Sequence, residues 1–513
     1  DKWGVLRAYT EALPGMTTSI PRPTHPTPPH NASRVATLLT VLSIVLLPLC
    51  AQARCLITVA PGDDVRGKWN EAAAGNCSLH FEAGTHVVTA RLGRSFAGTA
   101  EDPVVVSGEG AALTTLLRPD ANQNIIDVGG THFELRDMAL TGGSRGIRLT
   151  GDTSAARFTR LAVHGTQDNA FSANDVGTAY TGIEISHSEF YDTNGAGECL
   201  YLGCNNDGCT FGDSLVAYNY CHDTFSTQGT SQGDGLDLKG GTFNVVVRGN
   251  VFVNTYGPGI LTYANGGRAQ NIIEGNVVWM SGDVGIQATG DALIRNNIVV
   301  VDGLDVPAMN ASGGNQGTPN NLQIINNTVV MPSGTGNCLE ARNWQAPAQN
   351  MVIANNALFC PGREALRTVN VDFGIAQIVA NAIEGGTNVP SGTFPAGTWQ
   401  SQLTDVATAN VYPVAGSALI AAGDSRYAAA DDFNCLTRDR ASADVGAYSY
   451  SGDSNPGWTV ENSFKTCIEA TPSVPVPLLP ARLIWLCLAL AVVFAWLYSI
   501  RARAGGHSHA DTR

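Results

Sequence analysis

Apolar residues in the middle of this chain come in bursts of three, each cut off within a few residues by Gly, Asn, Asp or Pro. Examples are Val251-Phe252-Val253, Val277-Val278-Trp279, Ile298-Val299-Val300 and Thr328-Val329-Val330. β-Branched residues dominate and no burst is long enough for an amphipathic helix, so the pattern predicts strands. Each burst follows an asparagine, and Asn219, Asn250, Asn276, Asn297, Asn327 and Asn356 recur at intervals of 31, 26, 21, 30 and 29 residues. A second short strand follows in each unit: Gly235-Leu236-Asp237-Leu238, Gly259-Ile260-Leu261-Thr262, Gly285-Ile286-Gln287-Ala288 and Cys338-Leu339-Glu340-Ala341. One such unit cannot bury its own apolar side, so successive units must stack.

The fold class expected is all-β: a right-handed parallel β-helix with a short N-terminal cap helix, a C-terminal closing module and one C-terminal transmembrane segment. Equivalent residues of neighbouring coils then lie roughly 4.8 Å apart, which lets the asparagines form an amide ladder at a turn. Thr166, Thr193, Thr224 and Thr255 make a second column, also expected to satisfy turn backbone groups. Asp63-Asp64-Val65 through Ala74 predicts the cap helix, with an acidic N-terminus, over the open end of the coil.

Composition narrows the partners. The chain has 513 residues and a net charge of −14, with lysine only at positions 2, 68, 239 and 465, which argues against nucleic acid. Arg22 and Arg34 precede an apolar run over residues 35–49 closed by Ala51-Gln52-Ala53, the pattern of a signal peptide starting at Met16 and cut before Arg54. Near the other end, Pro475, Pro477 and Pro480 lead into an apolar stretch over residues 483–500, followed by Arg501 and Arg503. That stretch can just span a bilayer with the C-terminus cytoplasmic and the body outside. The expected localisation is therefore exported, at the cell surface or released after cleavage of the tail, and the expected state is monomeric.

The organisation expected is an extension and signal peptide over 1–53, a cap and first strands over 54–102, and the β-helix over 103–412. A closing module (413–450), a stalk (451–481), the membrane or sorting helix (482–503) and a short tail (504–513) complete it. Ten cysteines lie between the cleavage site and the tail, an even number that suggests disulfides. Cys55 and Cys77, Cys199 and Cys221, and Cys338 and Cys360 are each 22 residues apart, near one coil, so staples between neighbouring coils are expected. Cys199, Cys204, Cys209 and Cys221 leave zinc binding open as the alternative.

The chemistry is expected where the repeat breaks, at Gly197-Glu198-Cys199-Leu200-Tyr201-Leu202-Gly203 and, a coil later, Gly233-Asp234-Gly235-Leu236-Asp237-Leu238-Lys239. Placing Leu200 over Leu236 over Ile260 sets Glu198 beside Asp234, Tyr201 beside Asp237, and Lys239 beside Tyr263, all on one outer face. Three acids in one place could hold Ca²⁺, with Asp207 or Asp223 as added ligands. Lys239 would then be the base that abstracts a proton beside a uronate carboxylate, provided desolvation or Ca²⁺ lowers its pKa. Tyr201, Tyr263, Arg268, Trp279 and Trp344 are candidates for holding sugar rings and carboxylates. His164, His187 and His222 are expected at turns.

On these residues and the repeat, the body from about residue 98 to 448 resembles right-handed parallel β-helix repeat proteins of the pectate-lyase-like superfamily. Residues 416–424, 431–434 and 443–448 resemble the choice-of-anchor module of secreted β-helix proteins, and the tail resembles a PEP-type sorting signal without its Pro-Glu-Pro. The superfamily resemblance implies Asp234 and Asp237 as calcium ligands and Lys239 as base, as in some polysaccharide lyases. Fold alone does not choose the reaction. No Asp-Pro-His run supports a mannuronan epimerase, and the two Asp-Asp pairs, at Asp63 and Asp431, sit outside the central coils where a polygalacturonase would need them. The reading is a surface-anchored β-helix that binds an acidic polysaccharide and leans toward cleaving it by β-elimination. The alternatives are a non-catalytic adhesion or glycan-binding β-helix and a glycoside hydrolase.

Overall fold

The computed structural model describes residues 54–467, apart from 230–231 and 387–389. The segments expected as signal peptide and as membrane or sorting helix lie outside them. Among the described residues no helix is long and apolar enough to cross a membrane.

The bursts are strands, and they stack in parallel. One sheet carries Leu200–Leu202, Leu236–Leu238, Ile260–Thr262, Ile286–Ala288 and their equivalents in other coils. A second carries Thr242–Arg248, Asn271–Glu274 and Ala292–Arg295. A third carries Val251–Val253, Val277–Trp279, Ile298–Val300 and Thr328–Val330. This is a parallel β-helix with its core inside the coil. The helix Val65–Gly75 sits at the N-terminal end, capped by Asp64, whose carboxylate accepts from the Gly67 amide at 3.0 Å. Its Trp69 is fully buried and meets the ring of Phe96 edge-on, at 5.2 Å between centroids.

The asparagine column is the ladder expected. In each coil Nδ2 donates to Oδ1 of the next asparagine, at 2.9–3.0 Å, from Asn219 through Asn250, Asn276, Asn297, Asn327 and Asn356 to Asn381. The same Oδ1 also accepts the backbone amide of the asparagine one coil earlier, for example Asn276 N to Asn297 at 3.0 Å. All seven are buried. Just before each stands a residue with positive φ: Tyr218, Gly249, Gly275, Asn296, Asn326, Asn355 and Ala380. A single left-handed residue turns the chain from the second sheet into the third, and glycine or asparagine meets that demand most easily. The threonines form no such ladder; each hydroxyl bonds mainly within its own turn, as Thr193 does to Gly197 O and Thr224 to Gly233 O at 2.6 Å.

The third sheet explains why the bursts are apolar throughout and do not alternate. Its inward residues, such as Phe252 and Val278, fill the coil, while its outward residues Val251, Val277, Ile298, Val330 and Phe359 are buried too. They are covered by Leu403, Val411, Tyr412, Phe433, Val445 and Tyr448. A strand buried on both faces reads as a continuous apolar run. The residues expected as a closing module thus lie along the flank of several coils. Corner asparagines hold them there: Asn296 donates to Asp431 O, Asn326 to Asp444 O and Asn355 to Asp424 O, at 2.8–3.0 Å.

All ten cysteines of the described region are in disulfides. Three are the expected pairs Cys55–Cys77, Cys199–Cys221 and Cys338–Cys360; the others are Cys204–Cys209 and Cys435–Cys467. With every thiol oxidised, the zinc alternative falls.

Replacing Asn297 by alanine removes an amide that bonds both neighbouring rungs and leaves buried donors and acceptors unpaired. The expected loss is about 3 kcal/mol or more, read as a lowered midpoint in guanidinium chloride unfolding. An unchanged midpoint would show that the ladder does not hold the coils.

Candidate functional site

Two consecutive coils of the first sheet build the site. Leu200 pairs with Leu236 and Leu236 with Ile260, so Glu198 and Asp234 occupy the same position one coil apart, as expected. Asp237 is the outward residue of Leu236–Leu238, and Lys239 follows one pleat later. Glycines make room. A Cβ at Gly235 would come within 2.4 Å of Gly259 O, and one at Gly257 would strike Asp234 Oδ1 at 2.4 Å. A neighbouring coil thus carries no side chain where the carboxylate sits.

Ligand oxygens of Glu198, Asp234 and Asp237 all lie within 4.8 Å of one another. Lys239 Nζ ion-pairs with Asp237 and donates to the Tyr263 hydroxyl at 3.2 Å. The ammonium also lies 5.0 Å from the Tyr201 ring centroid and 4.9 Å from that of Tyr263, within cation–π range. The expectation of an open outer face needs correction. Glu198 and Asp237 are 0% exposed, Asp234 1% and Lys239 6%, because the two tyrosines and the neighbouring coils shelter them.

Burial shapes the electrostatics. It pushes the Glu198 carboxyl up to about 7, helped by the charge of Asp237, and raises Asp234 well above the usual carboxylate range. Asp237 rises to about 6 for the same reason, with Lys239 opposing. For Lys239, burial works against the charge but Asp237 outweighs it, so its pKa is raised. That corrects the expectation of a lowered lysine: in the protein as it stands Lys239 is held protonated. Tyr201 is pushed up to about 12 by burial.

Three buried carboxylates face one ammonium, and Glu198 Oε1, Asp234 Oδ1 and Asp237 Oδ1 have no hydrogen-bond partner. Buried polar atoms are rarely left so. A hard divalent cation suits the donor set, because it takes carboxylate oxygens and matches the excess negative charge.

Other expected residues divide. Tyr263 lies one coil from Lys239, and Arg268, on the loop beyond it, pairs with Asp207 at 3.6 Å. Asp207 is thus engaged by Arg268, and Asp223 bonds His222 at 2.8 Å and Asn254 at 2.5 Å, so neither joins the trio. Trp344 is fully buried with its indole donating to Ala311 O, so it cannot meet a sugar, and Trp279, partly buried, packs against the flank residues on another sheet. His187 has the positive φ of a turn, but His164 and His222 stand on strands. They sandwich Tyr191 with ring centroids 4.6 and 4.9 Å apart. One participant was missed. Asn169 lies in the column of Glu198 and Asp234 one coil earlier, and its amide donates to Glu198 Oε2 at 2.5 Å in the orientation that satisfies both ends. Extending the Leu200 alignment back to Phe171 would have found it.

Residues 125–299 match a family described as right handed beta helix region. No functionally curated protein matches. Among solved structures, an alginate lyase from Paenibacillus sp. str. FPU-7 overlays with 16% identity and a TM-score of 0.39, over 57% of this chain and 96% of that one. The PL6 family alginate lyase AlyGC overlays with 15% identity and a TM-score of 0.49, over 78% of this chain; the chain spans 60% of AlyGC. The A-module of mannuronan C-5 epimerase AlgE6 from Azotobacter vinelandii gives 15% identity and a TM-score of 0.48, over 65% of this chain and 94% of that one. These are likenesses of coiled backbone and carry no substrate with them.

A carboxyl whose pKa is raised on folding binds its proton more tightly in the folded state. Stability from Glu198 is therefore fully present below its ordinary value of 4.5 and is lost as pH rises through about 7. Chelated protein is expected to be about 2 kcal/mol less stable at pH 7.5 than at pH 5. Thermal unfolding should show this, with a weaker pH dependence in Glu198→Gln and a rise in midpoint on adding Ca²⁺ at pH 7.5. A wild-type midpoint indifferent to both pH and Ca²⁺ would refute the charge assignment.

Proposed function

We propose that this chain is an exported β-helix protein that binds an acidic polysaccharide at the Glu198, Asp234, Asp237 and Lys239 cluster and cleaves it by β-elimination. One observation carries the reading: the three carboxylates are not used up on turn amides but turn unpartnered oxygens toward one another beside the sole lysine of the central coils. The five disulfides support export, since such bonds persist in oxidising compartments. The apolar stretch over residues 483–500 is proposed as the anchor or sorting segment.

A protein of net charge −14 needs local positive charge to receive a polyanion. A divalent cation, Ca²⁺ in this reading, would be held by Glu198, Asp234 and Asp237 and would neutralise the uronate carboxylate beside the reacting carbon. In this reading Tyr201 and Tyr263, whose rings lie over the Lys239 ammonium, would take sugar faces and Arg268 a carboxylate. Lys239 is the base. With a cation balancing Asp237, Lys239 would give its ammonium proton to solvent, and the neutral amine would take the proton from the carbon next to the carboxylate. The bond from the adjacent carbon to the glycosidic oxygen breaks, a carbon–carbon double bond forms, and the leaving oxygen takes up a proton from solvent water.

The burial of Lys239, 6% exposed, favours a second reading in which the cluster is a structural cation site in a non-catalytic glycan-binding β-helix. One experiment separates them. The secreted body is incubated with pectate, alginate and glycosaminoglycans, with and without Ca²⁺, and the ultraviolet absorbance of unsaturated uronate ends is followed. The lyase reading expects a Ca²⁺-dependent signal on one of them, reduced at least about a thousandfold in Lys239→Ala. No signal on any substrate, or an unchanged signal in Lys239→Ala, sinks it; Ca²⁺-dependent stability without any signal would establish the second reading.

A further inference from the structure

Five coils before Lys239, on the same sheet, the surface turns basic. The outward column that contains Asp237 runs back through Tyr201, Ser172, Arg148 and Asp127 to Gly93. Beside Gly93 a groove of about 420 Å³ is lined by Arg66, Arg91, Arg94 and Arg118, with Thr89 and Gln123. Four guanidinium groups around one depression are unusual in a body this acidic.

Their pairing is incomplete. Arg91 meets Asp127 at 2.9 Å and Arg118 meets Asp120 at 3.4 Å, but among the described residues no carboxylate lies within ion-pair distance of Arg66 or Arg94. Asp63 and Asp64, next to Arg66 in the chain, are turned to the amides of Ala60 and Gly67. Arg118 is 5% exposed; it donates to Val88 O at 2.9 Å, and its Nε, buried, has no partner. Packing thus holds one guanidinium in place with a donor unused, while two exposed ones at the groove stand free of acids. Guanidinium groups in this arrangement suit oxyanions, which accept forked hydrogen bonds from them.

We propose that the Arg66, Arg91, Arg94 and Arg118 groove is a binding site for the oxyanion groups, carboxylate or sulfate, of an anionic glycan. It stands about 24 Å from Lys239, five steps of the coil rise, so one extended polymer can engage both places. That the ligand is a glycan rests on the function proposed above; the anion site itself does not.

The test is calorimetric binding to the disulfide-intact secreted body in the presence of a chelator, which silences the acidic cluster. The probes are oligogalacturonate, oligoalginate and a sulfated heparin oligosaccharide, and their arms tell carboxylate from sulfate. Binding of at least one probe is expected, weakening with added salt and about tenfold or more weaker in Arg66→Gln/Arg94→Gln. Both arginines are exposed and, among the described residues, unpaired with acids, so the double variant should keep the wild-type thermal midpoint. Absence of binding by all probes, or equal binding by the double variant, would overturn the groove. Groove binding to a probe that gives no unsaturated ends when Ca²⁺ is added would leave the groove standing and sink the lyase reading alone.

Discussion

In a parallel coil the closest neighbours of any outward or turn side chain are the residues at the same position one coil before and one coil after. Like is therefore stacked on like wherever the repeat is regular, and only side chains that tolerate their own kind can form a long column. A primary amide does so because it donates at one end and accepts at the other. The buried column from Asn219 to Asn381 uses that property to join seven coils and to hold their register. Everything else in the body, including which acids meet, follows from that register.

Carboxylates lack this self-complementarity, and most of the chain respects the limit. Glu274 stands between Arg248 and Arg295 in its column and bonds both. Glu340 is flanked by Arg342 and Arg367. Arg157 meets Glu184 in the same way at 3.2 Å. Against this habit, Glu198 directly over Asp234, with Asp237 alongside and a single lysine to answer all three, is the exception. A buried excess of negative charge is too costly to be a by-product of packing, which is why the cluster points to a cation or to bound protons. The basic groove is the converse exception: among the described residues two of its four arginines, Arg66 and Arg94, have no acid within ion-pair distance, five coils earlier on the same sheet.

Periodicity in the chain revealed the coil, the ladder, three of the disulfides and the vertical order of the site residues, because each depends on spacing alone. Spacing says nothing about what leans over a strand from the side. Hence Lys239 was expected to be open to solvent with its proton loosely held, whereas two tyrosines cover it and Asp237 secures the proton. Likewise His164 and His222 read as turn residues because the intervening Tyr191, which stacks between them, hides the aromatic column. The flank residues left one trace in the pattern, the apolar runs without alternation at Val251-Phe252-Val253 and its successors. Their cause lies far along the chain, at Tyr412, Phe433 and Tyr448.

The corner positions before the ladder have a further role in setting coil number. Asn296, Asn326 and Asn355 are spaced by the rise of successive coils, and each bonds a different point of the flank segment: Asp431, Asp444 and Asp424. Lys465 extends the row by donating to Gly275 O at 2.7 Å. The segment is thus a ruler laid against the solenoid, with marks one coil apart. A coil inserted or deleted between Gly275 and Asn355 would put every later mark out of line. Among the described residues the row reaches back to Tyr220, whose ring meets Phe464, so the gauge spans the coils of the asparagine ladder.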